Sequence, residues 1–234
     1  MLSECVRSVH ALTNVTGCGV LSIAGAGSGS LTAAVAARHV HAARSVDWHV
    51  PRCLLTTLRA PWLRFLSGVR YDSTHSRRRP YSTAAARGGD ADNADTASAA
   101  VAWLRALDNA SDPWHANAWR TRQASAAPRY GVGVDGARDG NNFLVPQVDW
   151  LRGVLCDVQT VYVVCADAAD DWARLHRLSG TVEKAATRAN VRNRGRAGHD
   201  SVAVRWARAR IEQDLYWWDT QLWAWVCRSS ANRE

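Results

Sequence analysis

Apolar positions along this chain fall into several distinct patterns. Leu58, Trp62, Phe65, Leu66 and Val69 recur at offsets of 4, 7, 8 and 11, one stripe of a helix that Pro61 can start. Val101, Leu104 and Leu107 repeat every third residue, which predicts a helix over 98–107. Asp112-Pro113 is a helix start, with the carboxylate over free amides and proline where no amide is needed. Tyr130, Val132 and Val134 alternate with Gly131 and Gly133. A turn-forming run to Asn141 follows, and Asn142–Val145 returns, so a β-hairpin is predicted near 129–146, with Pro146 ending its second strand or marking it as an edge. Val158–Cys165 is continuous and β-branched, a buried strand or short buried helix. Asp167–Leu178 and Thr181–Asn190 read as helices. A long helix is expected from Asp200 to about Arg228, with Trp217, Trp218, Trp223 and Trp225 near its end. These elements predict an α+β fold: a small domain with a β-hairpin flanked by helices, a long Trp-rich C-terminal helix and a disordered N-terminal presequence.

Charge sharpens the division of the chain. The formal net charge is +8, and residues 1–89 hold eleven Arg against Glu4, Asp47 and Asp72, so the excess is N-terminal and the remainder is neutral. That balance weakens the nucleic-acid reading that a basic pI would otherwise invite. Lys184 is the single lysine, so arginine usage reflects a compositional bias and says less than usual about function. Scarce acid, abundant Arg, Ser and Ala, the amphipathic stripe and Arg79-Pro80-Tyr81-Ser82-Thr83, which resembles a processing-peptidase site, predict mitochondrial import. The expected organisation is a presequence over 1–81, a linker over 82–97 and one helix-rich domain over 98–234. On this reading the sequons at Asn14 and Asn109 are chance occurrences, and Gly25, Gly27 and Gly29, which lack phosphate-loop spacing, are flexible presequence. No run is long and apolar enough for a membrane-spanning helix; Val20–Ala37 is interrupted by Gly and Ser.

Candidate chemistry is sparse. Cys156, Cys165 and Cys227, the cysteines of the expected domain, are odd in number and irregularly spaced, which argues against both a disulfide framework and a metal site. Asp167, Asp170 and Asp171 could serve as acid, base or magnesium ligand, but acidic residues in a first helical turn more often complement the helix dipole. Arg188, Arg192, Arg194 and Arg196 form a basic loop that could meet RNA phosphates, with a solvated loop as the default. The tryptophans near the C-terminus suit a partner contact or core, with a membrane interface as the alternative. No catalytic residue, cofactor, metal or small-molecule substrate is expected.

At the predicted hairpin, Arg129-Tyr130-Gly131-Val132-Gly133-Val134-Asp135 and Gly140-Asn141-Asn142-Phe143 resemble the signature of a family. It comprises a small accessory subunit of mitochondrial NADH:ubiquinone oxidoreductase (complex I) and its paralogous assembly factor. Pro146-Gln147, Trp150 and Arg152-Gly153 are similar to a further stretch of that family. So are the leading helix with Trp114, Trp119, Arg120 and Arg122, the Arg210-Ile211 pair, and Thr220–Val226 with Trp223 and Trp225. The turn here is two residues longer between Asp135 and Gly140. The resemblance implies a non-catalytic accessory subunit or assembly factor on the matrix side of the inner membrane, without flavin or iron–sulfur cluster. Its partners would be other complex I subunits, met through Trp114, Trp119, Arg120, Arg122, Arg129, Asp135, Gly140, Asn141, Phe143, Trp150, Trp223 and Trp225. A supernumerary mitochondrial ribosomal protein and a matrix enzyme using Asp167–Asp171 are the alternatives.

Overall fold

The computed structural model describes residues 9–13, 15–21, 23, 26–35, 39–40, 53–75, 93–109, 111, 145–152, 158–181 and 201–228. Its centre is a parallel sheet of β1 (Val9–Ala11), β2 (Gly19–Leu21), β3 (His39–Val40), β4 (Cys53–Leu58) and β5 (Thr160–Cys165) in the order β1-β5-β4-β2-β3. The longest pairing joins β4 to β5, from Cys53 opposite Thr160 to Leu58 opposite Cys165. The helices are α1 (Ser28–Val35), α2 (Pro61–His75), α3 (Asn93–Asp108), α4 (Gln147–Arg152), α5 (Ala169–Ser179), α6 (Val202–Ala209) and α7 (Trp217–Trp223).

The sheet is covered on both faces, and successive strand residues serve opposite faces because the side-chain period is two. Leu54, Leu58, Val161, Val163 and Cys165 join Leu151 of α4 and, at the edge, Leu222, Trp223 and Val226. Val20, Leu55 and Val164 join Leu31 and Ala34 of α1 and Trp172 and Leu175 of α5. A third apolar cluster unites Trp62, Phe65 and Val69 of α2 with Val101, Trp103, Leu104 and Leu107 of α3 and Ala207, Ile211 and Leu215.

The architecture is mixed α/β, and it departs from the expected α+β arrangement mainly at the N-terminus. Four of the five strands, and both α1 and α2, lie in the segment expected to be a disordered presequence. The physical reason is that the stripe Trp62, Phe65 and Val69, read as a targeting helix, is the buried face of α2; an amphipathic stripe fits a protein core as well as a membrane surface. Helix α3 also starts at Asn93, inside the expected linker.

The expected hairpin over 129–146 lies outside the described residues up to its last two positions. There Val145 is a buried bend and Pro146 leads directly into α4, so these two do not continue a strand. The helix expected from Asp112, the helix over 181–190 beyond Thr181, and the loop with Arg188, Arg192, Arg194 and Arg196 also fall outside the described residues. Val158–Cys165 and Asp167–Leu178 correspond to β5 and α5.

The long C-terminal helix is interrupted. Arg210–Leu215 widens into a π-helical turn, in which the Tyr216 N–H bonds to the Ile211 carbonyl, and Tyr216 leaves helical conformation at φ −128° and ψ 37°. The Thr220 hydroxyl donates to the Glu212 carbonyl at 2.8 Å, satisfying an acceptor that the wider turn releases. A second π-turn spans Ala224–Arg228.

Two disulfides close the described chain, Cys18–Cys53 across neighbouring strand starts and Cys165–Cys227 from the end of β5 to the last turn. Counting the cysteines of 82–234 alone had argued against such a framework; Cys18 and Cys53 come from the segment set aside as presequence.

Candidate ligand crevice at the carboxyl edge of the sheet

In a parallel sheet each strand delivers its following loop to the same edge, and a crevice opens where neighbouring strands send their connections to opposite sides. β2 and β4 are such neighbours. The chain leaves β2 toward β3 at one margin, whereas it leaves β4 toward β5 and the other margin.

The turn after β2 leads straight into α1. Ala26 donates its N–H to the Ile23 carbonyl, and Gly27 sits at φ +94°, a conformation that favours glycine. The Gly27 carbonyl accepts the N–H groups of Ser30 and Leu31, which starts the helix. A Cβ on Gly27 would lie 3.6 Å from Ala166 Cβ and 3.8 Å from Trp172, so the turn reaches across to the end of β5. The glycine run is therefore a strand-to-helix connection in the fold; Gly27 belongs to its turn and Gly29 to α1, while Gly25 lies outside the described residues.

Arg59 and Ala60 form the turn after β4. The Gln147 side chain grips Arg59 by its backbone on both sides: Oε1 accepts the Arg59 N–H at 3.0 Å, and Nε2 donates to the Arg59 carbonyl at 2.9 Å. Asp167, just beyond β5, accepts the Ala60 N–H through Oδ2 at 3.2 Å and faces Arg59 Nε through Oδ1 at 3.4 Å. The Ala166 N–H donates to the Leu58 carbonyl at 2.7 Å and ties the two strand ends together. Two residues before the turn, the fully buried Thr57 hydroxyl has no hydrogen-bond partner among the described residues.

Behind this edge lies a buried ionic layer. Asp219 of α7 accepts the N–H groups of Gln147 and Val148 at 2.7 and 2.9 Å, capping α4, and Arg64 of α2 lies 3.8 Å away. Burial pushes the Asp219 carboxyl up, opposed by Arg64 and the two amides, while burial lowers Arg64 against the pull of Asp219. Arg64 stays charged at physiological pH because a guanidinium begins so far above it. A relay thus runs from Asp219 through the α4 start and Gln147 to the Arg59 backbone.

Asp171 accepts the Cys165 N–H at 2.8 Å; burial raises its carboxyl, and this bond is the largest opposing effect. With Asp167 committed to Arg59 and Ala60, and Asp170 exposed, the three aspartates do not converge, and no metal-sized group of ligands occurs among the described residues.

Of the expected partner contacts, Trp114, Trp119, Arg120, Arg122, Arg129, Asp135, Gly140, Asn141 and Phe143 lie outside the described residues. Trp150 and Trp223 are half-buried at the edge of the apolar cluster under α4, with the Arg228 guanidinium 5.1 Å from the Trp223 ring. Trp225 is 44% exposed. Sequence reasoning missed Arg59, Gln147 and Asp219. An acid placed between Trp218 and Thr220 of an aromatic helix was the one available hint of a buried cap.

No helix among the described residues is long and apolar enough to cross a membrane. Compared with protein-family models, with curated proteins and with solved structures, the chain finds no match.

Proposed function

We propose that this chain binds a phosphorylated small molecule of the nucleotide type in the crevice between β2 and β4. The observation that carries the reading is one juxtaposition: the Gly27 turn with the start of α1, and Arg59, flank the place where the sheet's connections diverge. Helix starts offer unpaired amides and a positive dipole end to anions, and a glycine turn lets backbone approach phosphate closely. Arg59 adds a cation whose backbone is fixed by Gln147 and whose charge is partly balanced by Asp167. Titration calorimetry of the oxidised full chain against adenine and guanine mono-, di- and trinucleotides tests the proposal. Saturable binding that weakens at least tenfold in Arg59→Met is expected, since a charge-assisted hydrogen bond contributes roughly 1.5–3 kcal/mol. Absence of binding across the panel, or equal affinity in the variant, would overturn it.

A second reading keeps the resemblance to the complex I accessory and assembly proteins. It is favoured by exposed rings on the C-terminal helices: Trp206, Trp217, Trp218 and Trp225 are 39–59% exposed. Exposed tryptophan commonly marks a protein contact. In that reading the chain is non-catalytic and docks on neighbouring subunits at the matrix side of the mitochondrial inner membrane. Two disulfides speak for an oxidising compartment instead, because the matrix keeps thiols reduced. Co-migration of the tagged chain with complex I or its intermediates on a native gel is the outcome this reading requires; migration with ribosomal subunits would favour the RNA-contacting alternative.

A further inference from the structure

We infer that Asn109 is an N-glycosylation site. Asn109-Ala110-Ser111 is an acceptor sequon, with no proline at its middle position. Asn109 and Ser111 are both exposed immediately after α3. The Asn109 N–H closes the helix on the Ala106 carbonyl, and the Asn109 Oδ1 accepts the Ser111 N–H at 3.1 Å. The side-chain oxygen is thereby engaged by backbone, and the amide nitrogen is the end available for chemistry. α3 is itself fixed: Ala100, Val101, Trp103, Leu104 and Leu107 are buried, and Asp108 pairs with Arg210 at 2.9 Å. The sequon therefore stands at the surface of a packed helix.

A second and independent observation supplies the compartment. Cys18–Cys53 and Cys165–Cys227 are buried or half-buried bridges that bind core strands, so the fold matures where disulfides form. In eukaryotic secretory cells that environment also holds the transferase and its polyprenyl-diphosphate-linked oligosaccharide. In the reaction the Asn109 Nδ2 attacks the anomeric carbon of the donor sugar and a C–N bond forms. The C–O bond to the diphosphate breaks, polyprenyl diphosphate leaves, and the amide proton passes to a carboxylate of the transferase. No electrons are exchanged. This inference rests on the sequon and the disulfides, and it stands or falls separately from nucleotide binding.

The test is expression of the full chain in a eukaryotic secretory cell line, with gel mobility read before and after peptide N-glycosidase treatment. Tryptic peptides are also mapped after deglycosylation in heavy-oxygen water. The expected result is a downward shift by one glycan that Asn109→Gln and Ser111→Ala abolish and Ser111→Thr preserves. The heavy oxygen label should appear on the peptide holding residue 109. Asn14→Gln serves as the control for the other sequon and should leave the residue-109 label in place. An unlabelled residue 109 in the wild-type chain would overturn the inference, as would a glycosidase shift of undiminished size in both Asn109→Gln and Ser111→Ala.

Discussion

Arg64 and Asp219 show how a single buried residue can organise distant elements. Their side chains are essentially inaccessible, at 2% and 0% exposure, and they lie 3.8 Å apart. Removing both charges costs less than stranding one, because an unpaired buried charge loses its solvation without compensation. Arg64→Met is therefore expected to destabilise the chain by about 3–5 kcal/mol, read as a lower urea midpoint at unchanged slope. The double variant Arg64→Met with Asp219→Asn should lose less than the single one. A double variant no more stable than the single would mean that the two groups are not energetically coupled. Neither residue stood out in the sequence. Arg64 sat among many arginines in a basic segment, and Asp219 among tryptophans, so only spatial proximity identifies the pair.

At the scale of elements, α5 was legible as a helix, and the continuous run over 158–165 was read as a buried strand or short buried helix, of which the structure has the strand β5. Asp170 and Asp171 open α5, His176 and Arg177 close it, and Gly180 ends it at φ +66°. Four of the six residues of β5 are β-branched. β2 and β4 were hidden because short strands buried on both faces lack the polar alternation that marks a half-buried strand. The break at Tyr216 was hidden because a π-turn follows from which carbonyl finds which donor, and apolar spacing does not report this. Thr220 supplies that donor: its hydroxyl bonds the Glu212 and Tyr216 carbonyls at 2.8 and 3.1 Å. Thr220→Val, which keeps the shape and removes the hydroxyl, should cost roughly 1–3 kcal/mol by leaving an acceptor unsatisfied. Thermal melts followed by far-ultraviolet circular dichroism measure this. An unchanged melting temperature would show that water replaces the hydroxyl.

For the whole molecule, the decisive question is whether residues 1–81 belong to the working protein. They carry β1 to β4, α1 and α2, and without them β5 loses both neighbours. A fragment of residues 82–234 is accordingly expected to lack cooperative unfolding. Phe65→Ala in the full chain should cost about 3–5 kcal/mol through the cavity it leaves. Denaturation of the fragment beside the full chain and this variant decides the matter: a fragment that unfolds cooperatively, together with an inert Phe65→Ala, would return the segment to a leader role. Of the arginines that suggested a leader, Arg59 faces Asp167 at 3.4 Å and Arg64 is buried 3.8 Å from Asp219, so both have roles within the fold.

The strand order also sets a timetable for the ribosome. β1 is made first, yet its partner is the last strand of the sheet, with Val9 opposite Val161. β4 likewise waits for β5 until α2, α3 and α4 have been made. At typical synthesis rates of about 5–20 residues per second, the early half emerges roughly 5–20 seconds before β5 exists. During that interval the open edges of β1 and β4 need shielding from each other and from neighbouring chains.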